Sequence, residues 1–556
     1  MGELLIGPLL RYVGETEATV WVETDTPATV SVLGREARTF SVGGHHYALV
    51  CIDGLECGST NPYTVELDGR QVWPPADYGF PDPEIRTIDP DHELRVLYGS
   101  CRVAAPHEPP YNLPKDRDPR GREYDALYAK ALHMLGDDST DDIDDEQWPH
   151  LMLLLGDQVY ADEVSPKTAE MIRARRDTET GAGEQIADFE EYTALYRESW
   201  TEPVIRWLLS TVSTSMIWDD HDMHDDWNIS ESWLEDMRAL DWWEERILGG
   251  IVAYWIHQHI GNLSPRELGA SEQWRQVSEL DDATDYLREF AGRADRREDG
   301  SHWSIYRDVG ATRVILIDSR GGRCLEPGDR HMVDAKQWEW ITEKFSGDFD
   351  HLIVGTSCPW LLAGGIHHAE TWNEALCDGA WGPTVARWSE KIRRAGDFDH
   401  WAGFRRSFED LGELIAQKGS GRLGHTPASI TIVGGDVHHA YLNEIGFRPG
   451  SSVTSAVHQA VCSPFRNPLN RRERMLIRTT RSRPFIGAFR GLARRAGVPD
   501  PPFGWRLAEG PFFDNQVGTL WIDNGGITAR LEKTVPDQAM QGRKAQLELS
   551  YERRLV

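Results

Sequence analysis

Short alternations of apolar and polar residues dominate the first ninety positions, as in Ala18-Thr-Val-Trp-Val22 and Ala28-Thr-Val-Ser-Val32. A period of two predicts strands that bury one face. Tyr63-Thr-Val-Glu-Leu67, the turn pair Asp68-Gly69 and Gln71-Val-Trp73 together predict a hairpin. These runs predict a small β-sandwich over residues 1–90. It is closed by a proline-dense connector, Trp73-Pro-Pro75 and Pro81-Asp-Pro83, which neither a helix nor a central strand accepts. Beyond it, short wholly apolar runs alternate with amphipathic stretches such as Tyr124 to Leu135 and Tyr192 to Leu209. That alternation predicts buried strands covered by helices, an α/β domain over residues 91–556. Val517 to Asp523, Asn524-Gly-Gly526 and Ile527 to Leu531 predict a further hairpin attached to this core.

A chain of 556 residues exceeds one hydrophobic core, and its 40% apolar content and 22 Trp exclude wholesale disorder. The 90 acidic residues against 59 basic ones give a formal charge of −31, which disfavours general binding to nucleic acid or anionic membranes. The first residues carry no basic n-region, and Leu151 to Leu155 falls far short of the roughly 20 apolar residues of a membrane span. A cytoplasmic protein without a transmembrane segment is therefore expected. The seven cysteines form no CxxC pair and no disulfide framework, and Cys51, Cys57, Cys324, Cys377 and Cys462 read as packing or loop residues. The acidic cluster 137–146 lacks the glycine and glutamate spacing of a calcium loop and reads as solvated. Arg471 to Arg495 has the opposite bias: nine Arg accompany one acidic residue, Glu473, with Phe485, Ile486 and Phe489 interleaved. It reads as a solvated helix or loop.

Six apolar runs end in chemically capable residues, which predicts a site at the carboxyl ends of strands. They lead into Ser100-Cys101-Arg102, Gly156-Asp157-Gln-Val-Tyr160, the acid- and imidazole-rich stretch Asp219 to Asp226, Asp318-Ser-Arg320, Ser357-Cys358, and Gly435-Asp436-Val-His438-His439. One strand ending in Gly-Asp is ordinary turn chemistry. Four strands ending in Cys, Asp, Asp-His and Asp-x-His supply the bridging carboxylate, the mixed ligands and the free His that a pair of cations about 3.5–4 Å apart requires. At such mouths the guanidinium forks of Arg102 and Arg320 suit phosphate oxygens.

In this order the motifs resemble those of the alkaline phosphatase D (PhoD-like) branch of the calcineurin-like metallophosphatases. The resemblance extends to Asp399-His-Trp-Ala-Gly-Phe404, which is similar to that family's Asp-x-Trp-x-Gly-Tyr segment. It implies a four-layer α/β/β/α domain behind the sandwich and a phosphoric ester hydrolase acting on small phosphate esters through a hydroxide activated by two metal ions, iron with calcium or another divalent cation. By the same resemblance Cys101, Asp157, Tyr160 and His438 hold the first ion, Asp157 bridges, and Asp220 and Asp436 hold the second. His221 serves as the acid at the leaving oxygen. Arg102 joins it in catalysis, Arg320 and His439 contact substrate, and Asp219, Asp225 and Asp226 lie in or just behind the second metal's shell. The sequence departs from the family after His221, where Asp-Met-His-Asp-Asp stands in place of Glu, a variable pair and two Asn. No counterpart of the superfamily's middle His is visible near Gly355 to Cys358. The alternatives are a phosphodiesterase acting on nucleotides, lipid head groups or cell-wall polymers, and a catalytically silent metal-binding interaction module.

Overall fold

The computed structural model describes residues 2–136, 148–298, 302–448, 450–523, 526–536 and 544–556. The acidic cluster 137–146 and the turn residues 524–525 therefore lie outside the described residues.

The alternating N-terminal runs form two four-stranded antiparallel sheets. One orders Leu4–Val13, Glu17–Thr24, His45–Asp53 and Phe40–Val42; the other orders Arg35–Arg38, Thr29–Val32, Val65–Leu67 and Arg70–Trp73. Val20, Val22, Val30, Val50, Val65 and Trp73 share the core between them. Asp68 and Gly69 both have positive φ, 50° and 80°, as the two-residue hairpin turn requires. The opposite face of the first sheet is also apolar. Trp21, Phe40, Tyr47 and Leu49 continue into a larger core with Tyr192, Tyr196 and Trp200 of the helix Phe189–Trp200.

Two larger sheets follow. The six-stranded sheet orders Thr214–Ile217, Leu151–Leu155, Leu94–Gly99, Gln516–Asp523, Gly526–Thr534 and Leu547–Arg554, so the expected C-terminal hairpin strands belong to it. The seven-stranded sheet orders Ile305–Val309, Thr312–Ile317, His351–Thr356, Ser429–Gly434, Ala456–Val461, Ala440–Phe447 and Phe503–Phe512. Val96, Leu153 and Leu520 of the first share one core with Val314, Ile353, Val433 and Leu442 of the second. The sheets thus pack face to face. Their outer faces are covered by helices such as Ala126–Met134 and Pro203–Thr211 on one side, and Ala335–Phe345 and Arg405–Gly419 on the other. Strands buried on both faces read as unbroken apolar runs, which explains the sequence pattern. The amphipathic stretch from Tyr192 to Leu209 is two helices rather than one. Pro203 opens the second, and the Glu202 side chain caps it. Among the described residues no helix is long and apolar enough to cross a membrane.

His45 ties the N-terminal sheet to the helix Phe189–Trp200. Its Nδ1 lies 2.9 Å from the buried Glu23 and its Nε2 2.8 Å from Glu190 on the helix Phe189–Trp200. Burial opposes charge on the ring, but the two carboxylates prevail and raise its pKa above the ordinary histidine value. A raised folded pKa stabilises fully below about pH 6.5, and that contribution is lost as pH rises through the folded value. Urea unfolding of the wild type is therefore expected to show stability falling as pH rises above about 6.5, with a smaller fall in His45→Gln. Parallel profiles for the two proteins would contradict the assignment.

Candidate active site

The loops that leave the carboxyl ends of the strands converge at the mouth between the two sheets. Cys101, Asp157, Asp436 and His438 all carry positive φ there, between 50° and 63°. L-residues seldom adopt this conformation, and each costs on the order of 1–3 kcal/mol and persists only where surrounding structure imposes it. Two glycines explain how the loops close. A Cβ on Gly156 would lie 2.5 Å from Cβ of Asp219, and one on Gly435 would collide with Oγ of Ser100. Ser100 and Ser463 fasten the loops together. Asp436 N donates to Ser100 Oγ at 3.0 Å, and His438 N donates to Ser463 Oγ at 3.2 Å.

The side chains meet in overlapping groups. Donor atoms of Cys101, Asp157 and His438 all lie within 4.8 Å of one another, as do those of Asp157, Asp220 and His221, and those of Asp219, Cys358 and Asp436. Asp157 belongs to two of these groups. The Tyr160 hydroxyl donates to Asp157 Oδ2 at 3.4 Å and accepts from Asn467 Nδ2 at 3.4 Å, which places it beside the first.

Crowding dominates the electrostatics. Burial, then Asp219 and Asp220, push the Asp157 carboxyl well above the usual carboxylate range, and burial with Asp436 does the same to Asp219. Burial and Asp157 raise the Cys101 thiol, whereas burial lowers His438 to about 3 and keeps it neutral. Asp157 Oδ1, Asp219 Oδ2 and Asp220 Oδ1 are shielded from solvent without hydrogen-bond partners. Such oxygens, a neutral imidazole and a thiol that ionises only beside a cation together fit metal ions.

His221 stands at the edge of this cluster. Its Nδ1 lies 2.9 and 3.0 Å from the two oxygens of Asp162, and its ring packs 4.7 Å from that of Tyr160. Burial opposes its charge, but Asp162 and Asp220 outweigh that and raise its pKa well above the ordinary value. Asp162 was not among the expected residues, because Ala161-Asp162 looks like an ordinary turn. His400 also escaped the sequence reading. Its Nε2 lies 3.0 Å from Asp436 Oδ2 and its Nδ1 2.9 Å from buried Glu370, so it reaches the cluster from the side where no middle His was visible. Only its place beside Trp401 in the Asp399 to Phe404 motif marked it.

Three expectations need correction. Arg102 does not face the mouth. It is buried, donating from Nε to Asp125 at 2.7 Å and from Nη1 to the Ser199 carbonyl at 2.8 Å, because the buried Asp125 carboxylate claims it. Arg320 is likewise withheld from substrate. It donates to Asp219 and Asp399, and its Nη2 lies 3.4 Å from Asp220 and 3.7 Å from Asp436. Its charge offsets the carboxylates. His439 is engaged elsewhere, with Nδ1 on the Val437 carbonyl at 2.7 Å and its ring against Tyr441 and Phe513.

In the remaining acidic stretch, Asp222 organises backbone, accepting from Asp157 N and Asp219 N, both at 2.9 Å. Asp225 is exposed, with Oδ1 3.8 Å from His221 Nε2. Asp226 donates from its backbone N to Asp220 Oδ2 at 3.0 Å, and burial beside Asp399 and Asp397 raises its carboxyl to about 9.

The profile of the PhoD-like phosphatase family matches residues 140–483, and one described as "Domain of unknown function (DUF7800)" matches residues 1–85. A solved structure described as "Structure of PhoD" is similar over 98% of this chain and 88% of its own, with 10% identity and a TM-score of 0.57, a likeness of fold alone. Another, described as "GAP50 the anchor in the inner membrane complex of Plasmodium", covers 84% of this chain and 89% of its own at 9% identity, with a TM-score of only 0.32. No curated protein matches the chain.

Removing Arg102 takes from the buried Asp125 carboxylate its side-chain ion pair, leaving the backbone donors Leu127 N and Tyr128 N. Arg102→Ala is expected to lower the unfolding free energy by about 3–5 kcal/mol in urea titration. An unchanged unfolding midpoint would return Arg102 to the site surface.

Proposed function

The chain belongs to the PhoD-like phosphatase family and is a phosphoric ester hydrolase, and from that premise we propose that it cleaves small phosphate esters with two metal ions held at this mouth. The observation that carries the reading is the double membership of Asp157, which has Cys101 and His438 on one side and Asp220 and His221 on the other. Cys101, Asp157, Tyr160 and His438 would hold one ion. Thiolate and phenolate donors favour iron in that position. Asp157, Asp220 and Asp436 would hold the second, with His400 offering a nitrogen beside Asp436. When bound, the pair supplies a hydroxide nucleophile near neutral pH and neutralises charge on the phosphoryl oxygens.

The chain's own groups do the rest. Arg320 lies against Asp219, Asp220, Asp399 and Asp436 and lowers the cost of collecting these carboxylates in one place. Asp162 holds His221 by Nδ1, which leaves Nε2 to give its proton to the leaving oxygen. Glu370 holds His400 by Nδ1 in the same manner, the carboxylate–imidazole pairing that orients metal-binding histidines.

The test is hydrolysis of p-nitrophenyl phosphate and bis-p-nitrophenyl phosphate side by side, before and after chelation and metal restoration. Activity is expected to vanish on chelation, return with metal, and fall roughly 10²-fold or more in His221→Ala. The ratio of the two rates separates monoesterase from diesterase. Turnover that survives chelation would overturn the metal reading, and full activity in His221→Ala would overturn the role of the acid.

A further inference from the structure

The Arg-rich segment 471–495 takes no part in the metal cluster. It forms the helices Arg471–Thr480 and Arg483–Arg495, the first capped at its C-terminus by Arg481. Where these helices meet the helix Gly364–Cys377 and the paired strands Ala440–Phe447 and Phe503–Phe512 lies a cavity of about 420 Å³. Asn443, Arg481 and Arg490 line it together with the apolar Ile486, Trp505 and Leu507.

Two of its polar groups lack partners. The Arg481 guanidinium sits 4.8 Å from the centroid of the Tyr441 ring, yet its Nε and Nη2 are shielded from solvent and make no hydrogen bond. Asn443 is only 2% exposed and its Nδ2 is likewise unpartnered. Buried donors without acceptors are costly and uncommon, so their gathering around one cavity calls for a ligand. Nε and Nη2 form one edge of the guanidinium, the edge that matches two oxygens of a single oxyanion.

The balance of charge agrees. Asp500, the one carboxylate among the described lining residues, is taken up by Arg490 through two bonds of 2.8 and 2.6 Å and by Arg494. Burial holds His368 down to about 4, so it is neutral at pH 7 and leaves Arg481 uncompensated. Trp505 is fixed by a 2.9 Å bond from Nε1 to the Leu362 carbonyl and offers a rigid aromatic surface. The volume lies within the range of roughly 300–1,000 Å³ common for small-molecule sites. The strand Ala440–Phe447, which carries Asn443, leaves directly from His438 and His439, so cavity and metal cluster are built on the same element.

We propose that this cavity is a second ligand site, distinct from the metal cluster, for an oxyanion carried on an apolar body of about the size of one aromatic ring. Phosphate esters and carboxylates share that chemistry. Arg481 and Asn443 bind the oxygens, and Trp505, Ile486 and Leu507 cover the apolar part.

The test is calorimetric titration of the full-length, metal-loaded protein with phenylphosphonate, which cannot be hydrolysed at a P–O ester, and with benzoate and inorganic phosphate. Wild-type protein is expected to bind, beyond any phenylphosphonate held at the metal cluster, one further equivalent that Arg481→Met and Asn443→Leu each weaken about tenfold or more. Arg481→Lys keeps the charge and the fold but loses the fork, and it is expected to weaken the same equivalent. Binding at the metal cluster persists in all three variants, which separates the two sites. Benzoate binding equal to phenylphosphonate assigns the site to carboxylates, and markedly weaker benzoate binding assigns it to phosphate esters; either supports the proposal. Identical stoichiometry and affinity in the wild type and all three variants would overturn it, as would inorganic phosphate binding as tightly as phenylphosphonate.

Discussion

Repulsion among buried carboxylates is the constraint on which the rest of this structure depends. Asp157, Asp219, Asp220 and Asp399 are buried at one mouth, with Asp436 half-buried beside them, and like charges so placed cannot all ionise without compensation. Arg320 supplies part of it from the centre, with bonds or close approaches to four of them. His400 lies beside Asp436, and Glu370 and Asp436 raise its pKa well above the ordinary value despite burial. Oxygens on Asp157, Asp219 and Asp220 still lack hydrogen-bond partners. The remaining imbalance is of the kind that metal cations correct.

The scaffold that holds such a cluster together must resist it. The two large sheets do so by burying their strands on both faces, so that each mouth is the end of a rigid element rather than a free loop. The strain this imposes is visible in the positive φ of Cys101, Asp157, Asp436 and His438. Trp21, Tyr47 and Trp200 join the N-terminal sheet to the larger core, on the helix-covered outer faces, which makes that sheet part of the packing behind the catalytic layers.

What the sequence made legible were the strand mouths. A doubly buried strand is a largely apolar run, and polar residues within a few positions of its end stand at the mouth, as with Cys101 after Leu94–Gly99, Asp157 after Leu151–Leu155 and Asp436 after Ser429–Gly434. Which way a polar side chain turns at that point was not legible. Arg102 is captured by Asp125, 23 positions along the chain, and Arg320 by Asp219 and Asp399, 101 and 79 positions away. Nothing local announces these partners. His400 was missed for the complementary reason: it reaches Asp436 from a short turn of helix, Trp401–Gly403, that follows no catalytic strand. The Arg-rich segment was legible as helix or loop, but the cavity beneath it depends on packing against Gly364 and Trp505, which only the fold brings together.

The central claim is that Asp157 joins two metal sites, and metal stoichiometry tests it most directly. Inductively coupled plasma mass spectrometry of the purified, metal-restored protein is expected to find two equivalents per chain in the wild type and the loss of at least one in Asp157→Asn, with the fold retained by circular dichroism. A wild type that holds no stoichiometric metal, or an Asp157→Asn protein that keeps both equivalents, would contradict the account.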